Sequence, residues 1–222
     1  LAKPMGKFFK AIGLSVLEGY GLTETFAAIT LNSNENYHFG TVGKPLPGVQ
    51  LKLGSDNEIL VKGEMVFDRY LNLPEATAEV FDEAGWFRTG DLGEYSKEGF
   101  LRITGRKKEI IITAAGKNIA PVPIEEALSQ SKYVDMAMVY GDAKKYLTAL
   151  LVLNRDAIIN YAGKEHIAWK SFEDLAFHQT VYKLLLAEVK KVNSALAKYE
   201  TIKKFAIIEN AFSIESGELT PT

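Results

Sequence analysis

Tyr20-Gly21-Leu22-Thr23-Glu24 is followed about seventy residues later by Thr89-Gly90-Asp91, and then by Gly105-Arg106-Lys107-Lys108-Glu109. In order, these segments supply an aromatic ring, a hydroxyl, a carboxylate, a second carboxylate and a guanidinium. ATP requires such a set: a surface for adenine, donors for phosphate, an anion to hold Mg²⁺, and an acceptor for ribose hydroxyls. Each segment alone is a weak signal. Together, in this order, they outline a nucleotide site.

The stretch Gly19 to Glu24 nearly spells the dinucleotide fingerprint G-x-G-x-x-G, but Glu24 stands where the last glycine would be. A carboxylate there repels pyrophosphate unless a cation intervenes, and Mg²⁺ bridging Glu24 to phosphate oxygens supplies that cation. The plainer alternative is a glycine-containing turn that starts a helix. Asp91 can accept hydrogen bonds from two vicinal hydroxyls; a Gly-Asp turn between strands is its plain alternative. Arg106 lies 15 residues further on, beyond Gly99 and an expected strand over 100–104. That strand can return the chain and set Arg106 beside Asp91, where the guanidinium serves a ribose or a phosphate. Lys107-Lys108-Glu109 reads as a solvated turn or, placed at a change of texture, as a hinge.

This constellation resembles the adenylate-forming enzymes, the superfamily of acyl-CoA synthetases, luciferases and nonribosomal-peptide adenylation domains. The continuation Ile110-Ile111-Ile112-Thr113-Ala114-Ala115-Gly116-Lys117-Asn118-Ile119-Ala120-Pro121 looks most like the long-chain fatty acid–CoA ligases. The resemblance implies that Tyr20 flanks adenine with Gly21 also in the nucleotide site, Thr23 contacts phosphate, Glu24 binds Mg²⁺, Asp91 accepts from the ribose hydroxyls, Arg106 serves the ribose or a phosphate, and Ile103 borders the nucleotide. It also implies that Lys108 is the pivot of a mobile C-terminal domain and that Gly116 lines the path of CoA, a tight-turn glycine being the alternative for Gly116. Gly217 to Thr222 looks like the lead-in to a C-terminal catalytic lysine expected two residues later. The family's phosphate loop and fatty-acyl pocket lie in an upstream half that is not in this sequence. Leu1 is not Met, and the first residues lead straight into a site motif, so a fragment of a longer protein is expected, lacking its N-terminal part.

The elements that must position these residues follow from periodicity and punctuation. Met5–Ala11 reads as a short helix and Leu14–Leu17 as a buried strand whose C-terminal mouth would carry Thr23 and Glu24. From Gly40 to Gly105 short β-like runs alternate with Gly and Pro: 49–53, 58–62, 93–95 and 100–104, with a helix over 74–81. A small, strongly twisted sheet or distorted barrel is the natural reading. Beyond Arg106, Glu109–Thr113 is apolar and β-branched, a short helix starts near Pro123 and runs to Gln130, and strands are expected at 134–140, 148–153 and 205–209. Ser171 is a good N-cap for a long helix whose apolar positions run from Phe172 to Tyr199 at three- and four-residue steps. The expected fold is thus α/β and α+β, and the resemblance implies that residues 1–107 are the end of the large adenylating domain with its small distorted β-barrel and residues 108–222 a mobile α+β domain, incomplete at its end.

Composition narrows the classes. A chain of 222 residues with 47% hydrophobic and 24% charged residues and a net charge of −2 is ordinary for a soluble globular protein. It gives no electrostatic reason to expect nucleic acid. There is no cysteine, which excludes disulfides and thiolate catalysis and fits a reducing cytoplasm. No run reaches about 18 apolar residues and no basic-then-apolar leader opens the chain, so neither a spanning helix nor a secretory signal is expected. Peripheral association with a membrane stays open, because fatty acids partition into bilayers. His38, His166 and His178 are too scattered for a zinc motif and are expected to be structural. The expected reaction partners are fatty acid, ATP and CoA, with Mg²⁺. Two alternatives stand beside this reading: an adenylating enzyme with another acid or acceptor, and a non-catalytic module that binds nucleotide or a partner. The isolated chain is expected to be inactive.

Overall fold

The structure, a computed structural model, describes residues 3–208, 212–215 and 217. The chain divides into two compact units, residues 1–109 and 110–222.

The first unit opens with α1 (Lys3–Ala11) and β1 (Gly19–Gly21), which pairs antiparallel with β2 (Ala28–Leu31); β2 in turn pairs with β3 (Lys44–Pro45). The expected strand over Leu14–Leu17 does not form. Leu14, Val16 and Leu17 are between 37% and 55% exposed, and no described strand pairs with them. A run of apolar residues becomes a strand only when a neighbour takes its N–H and C=O groups, and none is offered here.

A four-stranded antiparallel sheet follows, in the order β4 (Gln50–Leu53), β5 (Glu58–Lys62), β6 (Phe87–Tyr95) and β7 (Leu101–Arg106). It is a curled half-barrel rather than a closed barrel. The alternation of the strands turns Ile59, Val61 and Leu101 inward, fully buried, onto Ile29 of β2. The loop from β5 to β6 carries α2 (Pro74–Val80), which starts with Pro at its first position, where a missing N–H costs nothing. Phe67 packs against Tyr70, Phe81 and Phe87 and ties that loop to the sheet.

The second unit is α+β. A two-stranded ribbon, β8 (Ile111–Ile112) and β9 (Asn118–Ile119), leads into α3 (Pro121–Ser129). A three-stranded mixed sheet has β11 (Leu147–Leu153) at its centre, antiparallel to β10 (Val134–Tyr140) and parallel to β12 (Ile202–Ile208). Between β11 and β12 run α4 (Arg155–Lys164), α5 (Phe172–Ala176) and α6 (Gln179–Asn193). Val181, Leu185 and Val189 of α6 recur every fourth residue and bury against a core that includes Leu147, Leu151, Ile158 and Leu175. Each such side chain contributes roughly 1.5–3 kcal/mol by leaving water.

The long helix expected from Ser171 is two helices. Ser171 does cap α5, its hydroxyl accepting from the Asp174 amide at 3.1 Å. After Ala176 the helix ends, and His178 caps the start of α6, its Nδ1 accepting from the Thr180 amide. Capping by a side chain thus restarts the helix mid-run. Tyr182 and Tyr199, counted on the apolar stripe, are nearly half exposed. Helix α4 had no counterpart in the sequence reading, although Asn154 caps it through the Ala157 amide at 2.8 Å. Of the segment Gly217–Thr222, all but Gly217 lies outside the described residues, as does Glu209 at the end of the last expected strand.

Candidate nucleotide site

Asp91 lies on β6 opposite Arg106 on β7, the two being register partners across the antiparallel pair. The hairpin between them closes through Ser96 and Gly99, so fifteen residues of chain bring the carboxylate and the guanidinium face to face. Arg106 Nε lies 3.2 Å from Asp91 Oδ1, and the Tyr20 hydroxyl donates to Oδ2 at 2.7 Å. The Asp91 side chain is 7% exposed and that of Arg106 is 65% exposed, so the carboxylate is buried while the cation reaches outward. The backbone amide of Asp91 donates to the Thr89 hydroxyl at 3.1 Å, and that hydroxyl donates to the Ile59 carbonyl, pinning the turn to β5. Burial pushes the Tyr20 phenol well above its ordinary range, and its bond to Asp91 pushes the same way, so it stays a donor. A carboxylate has about four lone-pair directions, so Asp91 retains capacity for two further hydroxyls.

Tyr20 sits at the centre of β1, and Gly21 follows where a β-carbon would fall 2.2 Å from the Ala27 carbonyl oxygen. Only glycine fits that approach. Thr23 and Glu24 then form a single 3₁₀ turn, Thr23–Thr25. Thr25, which the sequence reading did not single out, organises that turn. It is fully buried, accepts from the Leu22 amide, and bonds the Leu22 and Ala27 carbonyls, each at 2.9 Å. Thr23 is left exposed at the rim.

One oxygen of Glu24 accepts from the Tyr70 hydroxyl at 2.8 Å, and the Glu24 carbonyl accepts from the Phe67 amide. Burial, and then the Glu24 carboxylate, push the Tyr70 phenol up to about 12. Among the described residues no three His, Asp or Glu side chains gather into a metal cage. Mg²⁺ commonly takes one or two protein carboxylates and completes its shell with phosphate oxygens and water, so one oriented carboxylate fits a metal that arrives with a nucleotide. Ile103 is half-buried on β7 and packs on the same small core as Tyr20.

Lys108 is exposed in a second 3₁₀ turn, Lys107–Glu109, directly after β7. Its neighbour Lys107 is engaged: Nζ lies 2.8 Å from Glu58 Oε2 and 2.7 Å from Asp56 Oδ2. Glu58 is 5% exposed, and its other oxygen accepts from the Gly90 amide at 3.1 Å. Neither Glu58 nor Tyr70 stood out in the sequence; each meets its partner across more than 40 residues, and a lone Glu or Tyr carries no local signal of that. Gly116, in the second unit, adopts φ 69° in the turn that links Thr113 to Lys117, with open space around the position of a β-carbon.

Two family models match the chain: "AMP-binding enzyme" over residues 1–71 and "AMP-binding enzyme C-terminal domain" over residues 108–216. Among curated proteins the chain is 42% identical over its whole length to the long-chain-fatty-acid–CoA ligase FadD15 of Mycobacterium bovis, and it covers 37% of that protein. It is 37% identical to the human long-chain-fatty-acid–CoA ligase ACSBG1, with 97% of this chain and 33% of the relative aligned. The chain therefore spans little more than a third of the length of these relatives. Among solved structures, o-succinylbenzoate CoA synthetase (MenE) from Bacillus subtilis in complex with its acyl-adenylate intermediate superimposes with a TM-score of 0.75 at 29% identity, covering 98% of this chain and 42% of that one. The same enzyme with ATP and magnesium ion gives a TM-score of 0.71 at 30% identity, over 94% and 41%.

Proposed function

Because the chain belongs to the AMP-binding enzyme family, we propose that the full-length protein is an ATP-dependent long-chain fatty acid–CoA ligase and that this chain carries its ribose and metal contacts and its pivot. The observation that supports the nucleotide reading most directly is the Asp91 carboxylate, buried and held from two sides by Tyr20 and Arg106. An anion fixed in that way is an acceptor for paired hydroxyls, and the outward guanidinium beside it attracts phosphate. The similarity to long-chain fatty acid–CoA ligases supports the choice of acid.

In this proposal the fatty carboxylate attacks the α-phosphorus of ATP and pyrophosphate leaves, giving acyl-AMP. The CoA thiol, losing its proton, then attacks the acyl carbonyl and AMP departs. Asp91 holds the ribose with Arg106 beside it serving the ribose or a phosphate, Tyr20 flanks adenine with Gly21 next to it and Ile103 at the nucleotide's border, and Thr23 contacts phosphate. Glu24, steadied by Tyr70, would hold Mg²⁺, which supplies charge neutralisation at the phosphate oxygens. Residues 1–107 belong to the adenylating domain, and residues 108–222 rotate about Lys108 between the two half-reactions, bringing the Gly116 turn to the path of the thiol.

The test is acid-dependent ATP–pyrophosphate exchange by the full-length protein across a series of fatty acids. Exchange that rises with long-chain acids and is silent with short or aromatic acids supports the reading; exchange only with a non-fatty acid replaces the substrate; none with any acid overturns adenylation.

A further inference from the structure

Glu58 uses its two oxygens on two different segments. Oε1 accepts from the amide of Gly90, the residue before Asp91, and Oε2 accepts from the ammonium of Lys107, the residue before Lys108. Asp56, two residues earlier on the approach to β5, grips the same ammonium at 2.7 Å, and its Oδ1 accepts from the Glu58 amide. The Glu58 side chain is 6% exposed, whereas Lys107 and Asp56 are nearly half exposed. A carboxylate buried to that degree is costly without a cation, so its position depends on Lys107. From these contacts we infer that Glu58 is a positioning residue: one carboxylate ties the Asp91 turn to Lys107, so that the nucleotide floor and the fixed side of the pivot are set together.

The inference rests on the roles proposed above for Asp91 and Lys108, but the linkage itself is a property of Glu58, Gly90 and Lys107. Removing the Lys107 ammonium leaves the Glu58 carboxylate uncompensated, and it turns toward water, withdrawing its other oxygen from Gly90. The Lys107 ammonium bonds Glu58 and Asp56 and the Gly90 amide bonds Glu58, so the route from the Lys107 side chain to the Gly90 amide in hydrogen bonds runs through Glu58. In the full-length protein, Lys107→Met should raise hydrogen exchange at the Gly90 amide by roughly tenfold, Lys107→Arg should restore protection, and Glu58→Leu should raise it at least as much. Glu58→Gln, which keeps an acceptor for Gly90 but no charge for Lys107, should leave Gly90 protected.

The kinetic counterpart separates the linkage from the function. Lys107→Met should slow thioester formation and raise the KM for ATP, Glu58→Leu should raise that KM at least as much, and the double variant should be no worse than Glu58→Leu alone. Unchanged Gly90 exchange in Lys107→Met, with Glu58→Leu still exposing it, overturns the linkage, as does full additivity of the two variants. If Asp91→Ala leaves the KM for ATP unchanged while Gly90 exchange still answers to Lys107, the nucleotide assignment fails and the linkage stands.

Discussion

Asp91 and Arg106 sit directly opposite each other on β6 and β7, and their side chains meet at 3.2 Å. An antiparallel pair places such partners within reach without any long-range closure, so the contact on which the proposed nucleotide reading rests is among the cheapest to form. The third partner, Tyr20, arrives from 71 residues away and completes the clamp.

Removing the clamp's centre should cost nucleotide affinity. In the full-length protein Asp91→Ala should raise the KM for ATP by about five- to 150-fold, equivalent to the loss of roughly 1–3 kcal/mol of charge-assisted hydrogen bonding. Tyr20→Phe, which removes one donor and keeps the ring, should cost less. Initial-rate kinetics at varied ATP decide the order; a larger penalty for Tyr20→Phe than for Asp91→Ala would contradict it.

Glu24 should behave differently from Asp91. Glu24→Gln keeps the acceptor for Tyr70 but removes the anion, so adenylation should fall and excess Mg²⁺ should partly restore it. Tyr70→Phe should give a smaller defect of the same metal-responsive kind, because the carboxylate survives but loses its orientation. A magnesium titration of pyrophosphate exchange reads both; equal, metal-insensitive defects in Glu24→Gln and Asp91→Ala would remove the distinction.

Lys108 and Gly116 should bear on the second half-reaction. Lys108→Pro fixes φ near about −65° and restricts Lys107 as well, so pivoting should be hindered while acyl-AMP still forms. At Gly116, φ of 69° means that a large side chain brings strain along with bulk. Gly116→Asn tolerates that conformation, so the pair Gly116→Leu and Gly116→Asn separates blockage from strain. Single-turnover rates of each step, with thermal melts alongside, give the answer. Equal loss in both steps would make these residues structural.

The Asp56–Lys107 contact carries a pH dependence. Lys107, first, and hydrogen bonds around it hold the Asp56 carboxyl below its ordinary value of 3.8, and Asp56 and Glu58 hold Lys107 above 10.5. The Asp56 contribution is therefore present above the unfolded carboxyl's pKa and lost as pH falls through the lowered folded value. The Lys107 contribution is present below the ordinary lysine pKa and lost as pH rises through the raised one. Asp56→Asn, which keeps Oδ1 for the Glu58 amide, should lower Tm slightly at neutral pH and not at all at about pH 2. Since both groups are half exposed, screening keeps the effect small. A Tm difference that persists unchanged at low pH would assign it to something other than this ion pair.

The 222 residues by themselves should not make acyl-CoA, since relatives that perform that reaction are nearly three times as long. Incubation with ATP, Mg²⁺, palmitate and CoA should release no AMP above background. Robust release would overturn the division of labour assumed for the full-length protein.

What was legible in the sequence was whatever is encoded within about fifteen residues. Strand 134–140 was read to the residue, and the Asp91–Arg106 approach followed from one strand and one turn. Leu14–Leu17 misled because apolar content says nothing about who supplies the pairing strand. The helix from Ser171 was drawn too long because its apolar steps run on past Phe177, whereas His178 caps locally and wins. Tyr70 and Glu58 were invisible for the opposite reason. Their roles exist only once the half-barrel has curled and brought distant segments together.

The parallel pairing of β11 with β12 carries a consequence for synthesis. β11 is complete at Leu153, but its second neighbour begins at Ile202, after three helices have been made. Until then, as the chain leaves the ribosome, Leu151 and its neighbours present an unpaired strand edge to other nascent chains, the most association-prone stage this unit passes through. Helices α4 to α6 can form by local contacts during that interval, and β12 acts as a latch on the central strand. A nascent chain released before Ile202 should therefore be held by chaperones or aggregate, whereas one released after Ile208 carries all three described strands of that sheet.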